Sequence, residues 1–96
     1  MSNVYTHKHT DGTRVRVYES RDDVADKYTA VLRSSDWDAS AAPGMLAMIG
    51  MSGSPTHPQG ISQFCSGQEG PHLGRKLQWG EVPEHIRAHI VARISA

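Results

Sequence analysis

Polar and apolar positions alternate over residues 14–18 with the two-residue period of a strand. Val15 and Val17 fall on one face of residues 13–18, while Arg14, Arg16 and Tyr18 fall on the other, as in a sheet with one wet side. Arg14 and Arg16 are therefore expected in solvent. Residues 4–9 form a second β-prone run, and Thr10-Asp11-Gly12 separates the two. Asp-Gly in that place predicts a hairpin, because the turn needs positive φ. Residues 19–26 are charged without helical spacing and read as a connecting turn, after which residues 27–33 resume strand composition. Residues 34–44 mix Ser, Asp, Ala and Pro around Trp37. They predict an exposed connection with a mobile tip and one aromatic anchor folded back on the sheet.

The pattern changes in the second half. Met45-Leu46-Ala47-Met48-Ile49 is apolar on both faces, which predicts a central strand covered from each side. Residues 61–65 and 73–79 predict two further strands, the second carrying Arg75 and Lys76 outward. Val82, Ile86, Ile90 and Ile94 then recur every four residues. Pro83 suits a first helical turn, Glu81 and Glu84 favour the positive end of the dipole and Arg93 the negative end. An amphipathic helix over residues 83–95 follows, its apolar stripe docked on the sheet. The expected architecture is α+β: a small, strongly curved antiparallel sheet of about five strands with one C-terminal amphipathic helix. Residues 1–96 form a single domain in this reading, because a second core could not be buried at this length.

Composition narrows the function classes. Ten basic residues balance ten acidic ones, so no bulk positive field draws the chain to phosphate, and extended nucleic-acid binding is not expected. The longest mainly apolar run, residues 45–51, falls far short of the about 20 residues that span a bilayer, so no membrane segment is expected. A lone cysteine, Cys65, excludes an internal disulfide, and the N-terminal residues lack the apolar run of a secretory signal. Both point to the cytoplasm. Six histidines make the net charge sensitive to mild acid. A core this small makes a homodimer a reasonable expectation.

Candidate chemistry concentrates in residues 50–67, where Pro and Gly oppose helix and polar side chains crowd together. Cys65 with His57 or His72 could pair a nucleophile with a base. The competing reading is a small buried hydrophobe beside Phe64, and no orienting acid or oxyanion hole accompanies the pair. His57, Cys65 and His72 are also suitable zinc ligands, but their spacing is not that of a structural zinc site. His85 and His89 flank the helical stripe and read as partly solvated. Neither a metal nor a cofactor is expected. Gly50, Ser52, Gly53, Ser54 and Thr56 could cradle an anion with Arg75 and Lys76 in support, yet no Lys-Ser/Thr follows and no helix opens there, which excludes a P-loop. Among the aromatic residues, Phe64 and Trp79 read as packing, and Tyr28 and Trp37 as pocket walls. His57, Gln59 and Gln63 keep a claim to recognition, since Pro58 and Gly60 restrain backbone around donor-acceptor side chains. Tyr28 and His72 complete the candidate ligand-binding set, and no catalytic residue is assigned.

Gly50-Met51-Ser52, Pro55, His57-Pro58-Gln59-Gly60, Gln63, His72-Leu73-Gly74 and Val82-Pro83 form a pattern of their own, preceded by Asp26-Lys27-Tyr28-Thr29-Ala30-Val31. In these positions the chain resembles a group of short bacteriophage and prophage proteins, over most of its length from Asp26 onward. The resemblance implies a phage or mobile-element setting and carries over no catalytic residue. The expected function is a non-enzymatic accessory protein that binds a small polar ligand or a host protein through residues 50–67, by sequestration or blocking. The alternatives are a small Cys/His-dependent hydrolase or transferase, or a structural metal-binding protein.

Overall fold

Asp11 and Gly12 turn the chain as the hairpin pattern requires. Asp11 Oδ1 accepts the Thr13 N–H at 2.8 Å, and Gly12 takes a φ of +96°, a value that glycine adopts without a Cβ penalty. The computed structural model describes residues 5–21, 27–52 and 62–95, with backbone alone at Ser62 and Gln63. Its elements are β1 (His7–Lys8), β2 (Arg14–Glu19), β3 (Tyr28–Arg33), α1 (Ser35–Ser40), β4 (Leu46–Met51), β5 (Ser62–Gly67), β6 (Arg75–Leu77) and α2 (Glu84–Ser95). Short 3-10 turns at Pro71–Leu73 and Trp79–Glu81 bracket β6.

The strands form one open antiparallel sheet in the order β1-β2-β3-β4-β5. β6 joins it on the edge of β2 that β1 also uses. β1 pairs with Arg14 and Val15, and β6 with Val17, Tyr18 and Glu19. Thr6 closes the gap between them. Its hydroxyl accepts the Val17 N–H at 2.9 Å and donates to the Leu77 carbonyl at 2.8 Å, so one side chain satisfies backbone groups that neither strand reaches.

Alternation sends Val15, Val17, Tyr28, Ala30, Leu32, Ala47, Ile49, Met51 and Leu77 to one face, where Val82, Ile86, Ile90 and Ile94 cover them. Ile86 and Ile90 are completely buried. Burying each such side chain contributes about 1.5–3 kcal/mol, which is what docks a helix of this length. β4 is central as its two apolar faces predict: residues 47–51 are all buried.

The opposite face is not simply wet. β5 and β6 pair with different strands, so residues 68–74 cross the sheet between them on the face opposite α2. From this strap Glu69 takes the Tyr18 hydroxyl and lies 2.7 Å from Arg16 Nε. Arg16 is consequently largely buried, its side chain 13 % exposed, which corrects the expectation that it is solvated. The ion pair lies off the N–H axis, leaving Arg16 Nε without a hydrogen bond. Val31 and Met48, whose register places them on this face, are also buried. The strap reaches β6 through Gly74, which has a φ of +99°. A Cβ there would meet the Glu19 carbonyl oxygen at 2.1 Å, so no other residue fits the crossing.

Two further expectations change. The connection after β3 contains the helix α1, whose N-cap Ser34 accepts the Trp37 N–H at 3.1 Å; Trp37 does anchor against the core. Phe64 and Cys65 are exposed on β5 rather than buried, because β5 has a neighbour on one edge only among the described residues. His85 and His89 are half-buried, in line with the partial solvation expected of them, although both Nε2 atoms are inaccessible and without a hydrogen bond.

Candidate functional site

One end of the sheet carries the root of the 50–67 segment. The end of β2, the start of β3, the end of β4, the start of β5 and the start of β6 all meet there, because Glu19 opposes both Tyr28 and Arg75, Tyr28 opposes Met51, and Met51 opposes Ser62. Antiparallel pairing dictates this convergence. The sequence-predicted residues distribute unevenly around it. His57 and Gln59 lie outside the described residues. Gln63 is in β5, its backbone opposite Gly50 and so one register step from the loop root. Tyr28 stands at the root itself, 9 % exposed and part of the core. His72 is exposed in the 3-10 turn two residues before Gly74, and Gly74 abuts Glu19. The fold thus gathers Tyr28, Gln63 and His72 toward one end.

A chain of polar contacts braces this end, and most of it escapes a sequence reading. The Tyr28 hydroxyl donates to Glu19 Oε2 at 3.3 Å, and Arg75 Nη2 donates to Glu19 Oε1 at 3.4 Å. Arg75 Nη1 donates to Glu81 Oε2 at 3.1 Å, while the Gln78 N–H donates to Glu81 Oε1 at 2.9 Å. Lys27 Nζ adds a bond to the Ser20 carbonyl at 3.0 Å. Burial, then the Glu19 charge, raises the Tyr28 phenol above its ordinary range. It is therefore a hydrogen-bond donor at neutral pH rather than a base. The Gln78 N–H, then Arg75, hold the Glu81 carboxyl low, so it stays ionised. Arg75 was legible as an outward strand residue. Glu19 was not, because it reads as part of the connecting turn.

The described chemistry suits recognition. It offers alternating charge and neutral donors at one end of the sheet. Cys65 lies in the middle of β5 opposite Met48. Among the described residues no group of three or more His, Cys, Asp or Glu side chains could hold a metal ion. Trp37 does wall a cavity, of about 440 Å³, shared with Asp11, Thr13, Ser34, Ser35 and Asp36 at the other end of the molecule. Trp79 packs against the core and stacks on His7, ring centroids 4.1 Å apart. Among the described residues, no helix is long and apolar enough to cross a membrane. No family model, curated protein or solved structure matches this chain.

Proposed function

We propose that this chain is a non-enzymatic, phage-type accessory protein that acts in the bacterial cytoplasm and binds a small polar ligand or a host protein through residues 50–67. The observation that supports this reading best is the convergence of Tyr28, the two strands that carry the loop, and the His72 turn on one braced end of the sheet. Loops rooted in rigid elements hold their side chains well enough to discriminate ligands. His57, Gln59 and Gln63 supply the donors and acceptors, with Tyr28 and His72 at the margin. Blocking or sequestration needs no catalytic group.

Native mass spectrometry of the full chain recovered from bacterial cytoplasm tests this. The wild type is expected to carry a bound ligand or partner that the His57→Ala, Gln59→Ala, Gln63→Ala triple variant loses. If the triple variant keeps every adduct of the wild type, the site is elsewhere. A Cys/His-dependent hydrolase or transferase is the second reading, favoured by one observation: Cys65 is exposed. Alkylation of the folded protein at neutral pH decides it, since labelling no faster than that of a free thiol rejects an activated thiolate.

A further inference from the structure

The register of β2 and β3 sets Arg14 directly opposite Arg33, on the face that the strap crosses. Like charges in directly opposed positions destabilise a sheet, so the fold carries a cost here, offset in part by the Asp38 carboxylate beside Arg33. Arg16 follows two residues along on the same face. The Tyr5 ring serves as a platform for this group, with the guanidinium carbons of Arg14 and Arg16 at 5.1 and 5.0 Å from its centroid. Stacking of this kind fixes the guanidinium planes before any ligand arrives.

Carboxylates compensate only part of the charge. Asp38 takes Nε and Nη2 of Arg33 at 2.9 and 3.3 Å, and Glu69 stands beside Arg16. Arg14 forms no ion pair among the described residues. The Nη1 side of Arg33 is likewise outside the contacts made by Asp38. Two guanidinium groups on neighbouring strands, one held by an aromatic ring, therefore keep unspent donors on the same face of the sheet.

We propose that Arg14 and Arg33, with the Tyr5 ring stacked on Arg14, clamp a phosphate-bearing anion. Guanidinium forks match tetrahedral oxyanions, and a phosphoryl group has enough acceptor oxygens to serve two forks from adjacent strands at once. The ligand relieves the repulsion that the empty clamp sustains. This site is separate from the loop-bearing end, because Arg14 and Glu19 stand roughly 17 Å apart along β2. Its failure would leave the loop proposal intact.

Calorimetric and NMR titration of the full chain with inorganic phosphate, adenosine monophosphate and adenosine tests the clamp. Phosphate and the monophosphate are expected to bind at one equivalent and shift the Arg14 and Arg33 resonances, while adenosine does not bind. Arg14→Gln should weaken both by roughly tenfold or more, and Arg33→Gln similarly. Tyr5→Leu should weaken them several-fold, whereas Arg87→Gln, on α2, should leave affinity unchanged. Thermal melts of each variant establish that it is folded. Binding of the monophosphate without free phosphate supports a nucleotide source; binding of both supports the phosphoryl group alone. Wild-type affinity in both folded Arg14→Gln and Arg33→Gln overturns the clamp. So would an equal loss in Arg87→Gln, adenosine binding as well as the monophosphate, or no saturable phosphate binding by either phosphate probe.

Discussion

Two charged clusters stand at opposite ends of β2, and similar residues give opposite arrangements in them. Around Glu19 the signs alternate, Glu19 to Arg75 to Glu81, and each carboxylate meets a donor. Around Arg14 the register sets arginine against arginine, and the two nearby carboxylates engage the other cations. The overall balance of ten basic and ten acidic residues conceals both arrangements. What separates a brace from a binding surface is the order of the charges rather than their number. A compensated chain has spent its donors on itself, while in the opposed pair Arg14 and the Nη1 side of Arg33 keep theirs for a ligand at some expense in stability.

The hardest blow to the braced end is Gly74→Ala. Positive φ and the collision with the Glu19 carbonyl should together cost about 2–5 kcal/mol, read as a lower urea midpoint. Glu69→Gln acts on the other cluster. It leaves the largely buried Arg16 without its carboxylate, so stability should fall by about 1–3 kcal/mol while phosphate affinity rises. Arg14→Gln should move both quantities the other way, stabilising the fold by about 0.2–1 kcal/mol as binding is lost. A variant that loses both stability and binding would show that the opposed pair is structural.

Acid sharpens the comparison without mutation. Burial, then His9, holds the His7 imidazole below its ordinary 6.5, and burial, then Arg93, does the same for His89. Below pH 6.5 the unfolded chain binds protons that the folded chain resists, so stability declines as pH falls through that value toward the folded-state pKa values. Glu81 and Asp38 are held low by their hydrogen bonds and stay charged in the same window. Chemical denaturation between pH 7 and 5.5 should therefore show a loss that His89→Gln reduces and that neither cluster accounts for.

Local rules made most of the fold legible. Val15 and Val17 mark a strand by alternation, the apolar 45–49 run marks a buried one, and Ile86, Ile90 and Ile94 mark the helix. α1 was not legible, because six residues with one aromatic show no helical period, although Ser34 as N-cap with Asp36 and Asp38 in the first turn is a signature that was there to read. Arg16 misled for a different reason: alternation says which face a residue occupies, and only the long-range strap decides whether that face is wet. The candidate site divides the same way. Tyr28 and Gln63 could be placed by strand periodicity, but Glu19 reads as part of a turn and meets Arg75 only through pairing with β6, more than fifty residues away in the chain. The arginine pair depends on which residue of β3 meets Arg14, and no property of either strand alone reveals that register.

The shared edge of β2 also orders events in time. β2, β3, β4 and β5 follow one another as a meander and can zip through neighbouring contacts, whereas Leu77 must find Val17 from sixty positions away in the chain. During synthesis the edge of β2 at Val17 to Glu19 lacks its β6 partner until β6 has left the ribosome, and the Thr6 hydroxyl has only one of its two backbone partners. The nascent protein thus passes through a stage with a sticky strand edge and an undocked helix, and β6 docking is its slow, long-range closing step.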